Sequence, residues 1–341
     1  MDELFMKRCL ELAILGKGCV APNPMVGCVI VYGGNIIGEG YHEKFGEAHA
    51  EVNAISAVSD PQLMAKSTLY VNLEPCRHIG KTAACADLIL NSNIPKVVIG
   101  CRDANPAVHG GGVEYLEENS CEVVLGMKEV ECLELNRRFF TFHQKQRPYI
   151  ILKWAESRDG FIAPADQKQQ WITGDESKRL VHKWRTEEQA IMVGTNTAVV
   201  DNPALTARVW LGENPIRITV DNKGRIPTTS QILNDEAETI IYSDRVIEGG
   251  RTAKYVEVAG GTEQLPAIMA DLHKREVTSL MVEGGQQLLN SFIKCGLWDE
   301  ARVFTGTTDF IEGSKAPQLG SEHHDEEAVG DDTLRLYYNK A

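Results

Sequence analysis

A histidine, a glutamate and two cysteines near the start of the chain are the residue types needed to activate water on a metal. His49, Ala50 and Glu51 form H-x-E, Pro75 and Cys76 follow, and Cys85 stands nine positions beyond Cys76. One imidazole and two thiolates are borderline-to-soft ligands that suit Zn(II), and three protein ligands leave the fourth tetrahedral position open to water. Openness means catalysis. Zinc lowers the pKa of bound water to about 7, and a carboxylate two residues from the imidazole can carry a proton from that water to a departing amine. The nine cysteines are an odd number without disulfide-framework spacing, which fits a reducing compartment; the remaining seven, Cys9 to Cys295, read as core or surface residues.

These ligands need elements to hold them. Apolar residues at helical spacing over 5–15, closed by Gly16 and Gly18, predict an amphipathic helix. The apolar run 26–31, a turn at Gly33, Gly34 and Asn35, and the returning run 36–40 predict a β-hairpin, with Asn23 in the loop that enters it. A helix from His49 to about residue 58 puts the imidazole in its first turn with Glu51 close by. A strand over 68–73 delivers Cys76 just past its C-terminal end, where α/β sheets carry their sites. Cys85 is expected to open a helix reaching about residue 90, where the dipole and unpaired amides favour a thiolate. A strand over 96–100, a helix over 114–118, a strand over 121–125 and a helix over 127–142 complete an α/β domain. The polar, basic stretch 143–148 divides the chain into domains 1–145 and 146–341.

At 341 residues the chain is long for one core, and 43% apolar with 24% charged residues lets each half bury its own. A net charge of −13 argues against a nucleic-acid partner, which would want clustered Lys and Arg. No apolar run nears the roughly 20 residues that span a bilayer. The first residues, Asp2 and Glu3 among them, lack a signal-peptide pattern, so a cytoplasmic protein without a membrane partner is expected.

In the second half, 149–154 reads as a strand, and no G-x-G-x-x-G follows it. Instead an apolar strand over 279–283 ends in Glu283, followed by Gly284, Gly285 and a helix over 286–294. Two glycines let a helix N-terminus approach a pyrophosphate, although a plain strand-to-helix turn has the same pattern. His323 and His324, among the acids of 322–327, read as a solvated loop, and 334–338 as a closing strand.

The H-x-E and P-C grouping is the signature of zinc deaminases, with C-x8-C here where the nucleobase enzymes have C-x-x-C. That departure and the run Glu74, Pro75, Cys76, His78, Gly80, Lys81, Thr82, Cys85 resemble the bifunctional deaminase-reductases of riboflavin biosynthesis. The second half is similar to the same family at Leu152 and Lys153, at Trp171 to Thr173, at His182 and Arg185, at Asp201 to Arg208 and at Glu283 to Gly285. The resemblance implies an α/β protein: an N-terminal cytidine-deaminase-like α/β/α domain with a mixed sheet, and a C-terminal dihydrofolate-reductase-like α/β domain. It implies phosphorylated pyrimidine substrates, Zn(II) and NADPH as cofactors, and a homo-oligomer is expected.

The resemblance also assigns residues. His49, Cys76 and Cys85 would hold zinc, Glu51 would move the proton, and Asn23 and His42 would contact the pyrimidine. The loop between the two cysteines, pinned at both ends, would use His78 and Lys81 to grip the substrate phosphate, while Asp103 and Asn105 orient the ribose or base. NADPH would be lined by Ala155, Trp171, Thr197, Asp201 and Asn222, and by the stretch Gly285, Gln286, Gln287, Leu288, Leu289, Asn290 and Ser291. Gln169, Arg185, Leu205, Arg208 and Glu283 would meet the sugar phosphate, with Lys153, Asp201 and Glu283 the ionisable groups near the reacting carbon. Gln169 and Asn222 depart from the serines that members often carry. Two other readings compete: a nucleoside or tRNA deaminase fused to a folate-type reductase, and a ligand-sensing module whose zinc is closed by His42 or His78 as a fourth ligand.

Overall fold

In the computed structural model, residues 1–77, 84–105, 111–166, 170–245, 253–320 and 322–339 are described. The chain forms two compact units, Met1–Gln146 and Arg147–Ala341. The first is built on β1 (Gly27–Tyr32), β2 (Asn35–Tyr41), β3 (Thr68–Leu73), β4 (Lys96–Cys101) and β5 (Glu122–Leu125), in the order β2-β1-β3-β4-β5. β1 pairs antiparallel with both β2 and β3, whereas β3, β4 and β5 run parallel, so the sheet is mixed. Helices α1 (Asp2–Ala13), α2 (Ala50–Ser56), α3 (Cys85–Asn91), α4 (Gly112–Glu118), α5 (Glu129–Leu135) and α6 (Arg137–Lys145) cover it. Both faces are buried, which is why the central strands are apolar throughout rather than alternating. Ile30, Val71 and Ile99 pack on one face with Ala54 of α2 and Ile89 of α3, while Val29, Tyr70 and Val98 pack on the other with Met6 and Cys9 of α1.

The continuous helix expected over 127–142 is two helices. Asn136, 2% exposed, breaks it: its side chain accepts from Met25 N at 2.8 Å and donates to Met25 O at 2.9 Å, taking a backbone's place against the loop before β1.

The second unit carries a nine-stranded sheet. Its strands are β6 (Tyr149–Glu156), β8 (Ala190–Val193), β9 (Ile216–Val220), β10 (Thr239–Ser243), β11 (Lys254–Glu257), β12 (Ser279–Glu283), β13 (Glu300–Thr305), β15 (Asp325–Val329) and β16 (Asp332–Tyr338); β7 (Phe161–Pro164) and β14 (Gly313–Lys315) form a separate ribbon. The order is β11-β10-β9-β8-β12-β6-β13-β16-β15, parallel as far as β13 and antiparallel at its last two pairings. Helices α7 (Asp175–Glu187), α8 (Thr195–Val200), α9 (Gln264–Lys274) and α10 (Gln286–Lys294) join the parallel strands. Part of the loop expected at 322–327 is instead β15, an exposed, acid-rich edge strand on β16; its backbone pairing overrides its polarity, and edge charge discourages further strand addition. Among the described residues no helix is long and apolar enough to cross a membrane.

Candidate active sites

His49 caps the N-terminus of α2 in an extended conformation, Cys76 lies three residues past β3, and Cys85 is the first residue of α3. His49 Nδ1 sits 3.3 Å from Cys85 Sγ and 3.6 Å from Cys76 Sγ, and Cys85 N donates to Cys76 Sγ at 3.4 Å. These ligand atoms lie within 4.8 Å of one another and form the metal-competent cluster found among the described residues. Zinc bonds of about 2.0–2.3 Å at tetrahedral angles put ligand atoms roughly 3.5 Å apart, so the donor set fits Zn(II). The hydrogen bond from Cys85, with His49 adding to it, holds Cys76 well below the usual thiol range despite burial, and Cys85 is pushed up correspondingly. Glu51, 3% exposed, is pushed up to about 7, first by burial and then by the neighbouring Cys76 charge, which suits a group that must both accept and donate a proton near neutrality.

Asn23 and His42 stand beside this trio. His42 Nδ1 is 3.0 Å from Ala48 O, Asn23 Nδ2 is 3.1 Å from His42 Nε2, and the His42 and His49 rings meet edge-on at 5.5 Å. The two contacts define the neutral tautomer: Nδ1–H donates to the carbonyl and Nε2 accepts from the amide. Burial lowers the His42 pKa, consistent with that state. With both nitrogens engaged, His42 is not a fourth metal ligand. Asp103 is buried and accepts from Asn105 N at 2.7 Å. His78, Lys81 and Gln169 lie outside the described residues. The sequence drew no attention to Glu74 beyond its place in a motif, yet its buried carboxylate accepts three backbone N–H groups from the 103–113 segment.

In the second unit, Lys153 on β6 is the register partner of Glu283 on β12. Arg185, on α7, clamps Glu283 with bonds of 2.9 and 2.8 Å and donates to Thr206 O at 3.1 Å. Burial would raise Glu283, but the charges of Arg185 and Lys153 outweigh it and hold the carboxyl at about 2. Burial pushes Lys153 down, against the pull of Glu283. His182, one turn before Arg185, is pushed to about 4 by burial and the nearby arginines, and its buried Nδ1 has no partner among the described residues. Leu205 is buried with φ +55°, in a loop whose Ala204 O accepts from the fully buried Arg217 at 3.3 Å. Arg208 is exposed.

A cleft of about 1260 Å³ opens past the C-terminal ends of β8 and β12 and past α8, lined by Trp171, Thr197, Asp201, Gly285, Gln286, Gln287, Leu288 and Ser291 of the expected cofactor residues. Gly284 and Gly285 have φ +81° and +78°, and a Cβ on Gly285 would come 3.1 Å from Thr197 Oγ1. Ala155, Asn222, Leu289 and Asn290 are not part of the cleft lining. Leu289 faces the core, and the Asn222 amide is paired with Gln264 at 3.1 and 2.8 Å. Gln264 itself lines the cleft, as do two cations the sequence did not single out, Arg225 and Lys294. A cleft lined by Arg225 and Lys294, with a glycine-flanked helix start at its edge, fits a polyanionic dinucleotide.

Residues 1–101 match the family model of the cytidine and deoxycytidylate deaminase zinc-binding region, and residues 148–311 match that of the RibD C-terminal domain. The chain is 41% identical over 326 residues to the riboflavin biosynthesis protein RibD of Aquifex aeolicus, covering 94% of this chain and 91% of that protein. It is 36% identical over 321 residues to the RibD of Escherichia coli (strain K12), covering 89% and 87%. The crystal structure of a diaminohydroxyphosphoribosylaminopyrimidine deaminase/5-amino-6-(5-phosphoribosylamino)uracil reductase from Thermotoga maritima is similar over 98% of this chain and 97% of that one, with 35% identity and a TM-score of 0.90.

Proposed function

The chain belongs to the RibD family of riboflavin biosynthesis and carries its deaminase and reductase steps, and from that premise we propose how its residues divide the work. The unit 1–146 hydrolyses the exocyclic amine of 2,5-diamino-6-(ribosylamino)-4(3H)-pyrimidinone 5′-phosphate, and the unit 147–341 reduces the ribosyl chain of the product to ribityl with NADPH. The observation that carries the first assignment is the convergence of His49 Nδ1 and two cysteine sulfurs beside the buried carboxylate of Glu51.

Zinc supplies a Lewis acid at which water becomes nucleophilic near neutral pH. His49, Cys76 and Cys85 hold it, and Glu51 takes the proton from the water and returns it to the leaving nitrogen. Asn23, pinned through one N–H to His42, keeps its amide oxygen for the pyrimidine. Asp103 and Asn105 orient the ribose or base, and His78 and Lys81 grip the phosphate. In the second unit NADPH supplies the hydride. The cleft from Trp171 to Ser291 binds it, and Lys153, whose hold on its proton is weakened by burial, gives that proton to the sugar while Glu283, its register partner, holds the lysine in place. Arg185 and Arg208 supply the positive charge that faces the sugar phosphate. A cytoplasmic homo-oligomer completes the reading.

The test incubates the full chain with the phosphorylated diaminopyrimidinone, following ammonia release and nicotinamide absorbance separately. Ammonia should appear without NADPH, and NADPH should be consumed only once deaminated product is present. Glu51→Ala should abolish ammonia release and leave reduction of pre-deaminated substrate intact. If the folded variant loses both signals, the division of labour is wrong.

A further inference from the structure

Glu74 is 3% exposed and stands two residues before the metal ligand Cys76, at the end of β3. Its Oε2 accepts from Asp103 N at 3.2 Å, and its Oε1 accepts from Gly112 N and Val113 N, each at 3.1 Å. The three donors come from both ends of one chain segment, and no cation is needed to explain the carboxylate's burial: a group that only accepts is matched to amides that only donate. The Glu74 backbone is held as well, its N–H donating to Cys101 O at 2.9 Å. A second contact draws the same segment onto the same strand end. A Cβ on Gly112 would fall 2.0 Å from Pro75 O, so at that point the backbone of residue 112 lies directly against the backbone that leads into Cys76.

We propose that Glu74 is a positioning residue of the deaminase, tying the loop that bears Asp103 and Asn105 to the strand end that bears Cys76 and so setting how far the substrate sits from the metal trio. The inference rests on the reading that Asp103 and Asn105 face the substrate. Asp103 is suited to this, since its N–H is bound to Glu74 while its Oδ1 accepts from Asn105 N at 2.7 Å, so displacing the first bond shifts both side chains together.

Glu74→Gln tests it. Glutamine keeps one acceptor oxygen, and its NH2 must face either Asp103 N or the Gly112 and Val113 pair, leaving donors opposed to a donor whichever way the amide is turned. The full-length variant should bind one zinc per chain, reduce pre-deaminated substrate at the wild-type rate, and show a deaminase KM raised roughly tenfold with kcat changed much less, the cost of one buried unpaired amide falling on loop placement. Gly112→Ala should give the same signature without altering any carboxylate, because its methyl pushes the segment off Pro75. In the double variant the two KM effects should fall short of multiplying, since both disturb the same contact between Gly112 and the strand end at Glu74 and Pro75. An unchanged KM in Glu74→Gln overturns the proposal, and so does loss of zinc together with kcat, which would make Glu74 a support of the metal strand alone. Should Glu74→Gln fail to fold, Gly112→Ala decides by the same criteria. Failure of the functional reading is separate: the unaltered protein would then release no ammonia from the phosphorylated diaminopyrimidinone.

Discussion

Replacing Arg185 by methionine probes the buried ion pair that organises the second unit. The Arg185 side chain is 12% exposed and that of Glu283 11%. The substitution removes the bonds of 2.9 and 2.8 Å to Glu283 and the 3.1 Å bond to Thr206 O. Glu283 is held at about 2 against an ordinary 4.5 because Arg185 and then Lys153 overcome the effect of burial. A folded-state value below the unfolded one stabilises the protein fully above about pH 4.5, and that stability is lost as pH falls toward 2. Each tenfold in proton affinity is worth about 1.4 kcal/mol, so the charges around the Glu283 carboxyl, Arg185 first and Lys153 after it, contribute about 3 kcal/mol at neutral pH. Without Arg185 the carboxyl keeps its burial and loses its main counter-charge, which removes this contribution. The chain offers a clean assay, because all five tryptophans, Trp154, Trp171, Trp184, Trp210 and Trp298, lie within 147–341. Urea unfolding of the full chain followed by tryptophan fluorescence therefore reports on the second unit. With a slope of about 2 kcal/mol per molar urea, the midpoint at pH 7 should fall by about 1.5 M. The gap from the unaltered protein should close as pH falls from about 4.5 to about 2. A gap independent of pH would mean that the loss arises from packing or from the Thr206 bond, and the electrostatic account of Glu283 would be refuted.

Two further outcomes follow from the site geometry. Stripping metal with a strong chelator should stop ammonia release while reduction of pre-deaminated substrate continues, and zinc alone should restore the first activity; parallel loss of both would show that the units do not work separately. Gly285→Val places a branched side chain at φ +78° and a Cβ 3.1 Å from Thr197 Oγ1, so NADPH binding measured by fluorescence titration should weaken by tenfold or more with deamination unaltered.

What the sequence made legible was chemistry carried on short spacings. His49 and Glu51 lie two residues apart, Cys76 and Cys85 flank one loop, and each of the three ligands sits at, or within three residues of, an element end that hydrophobic patterning locates. Contacts that bridge long stretches were hidden. Arg185 and Glu283 are 98 residues apart, and nothing in either neighbourhood says that one clamps the other. Glu74 is served by backbone amides, which carry no residue signature at all. The break at Asn136 depends on a loop 111 positions earlier, a tertiary contact that overrides local helix periodicity. β15 shows no alternation because it is a solvated edge, recognisable only once β16 is beside it. Asn222 occupies the position expected of a cofactor contact, but its amide is committed to Gln264, a residue 42 positions away.

The hairpin beneath α2 restricts how the first pocket could be redesigned. A Cβ at Gly38 would fall 2.4 Å from Ala54 O and one at Gly40 2.6 Å from Ala54 N, so at both points the strand lies directly against the helix main chain. The helix that presents Glu51 thus rests on a floor that cannot be raised without collision or lowered by trimming a residue. An engineer wanting room for a bulkier heterocycle would have to carve it from the loops around Asn23 and Asp103, leaving the proton carrier at its present depth.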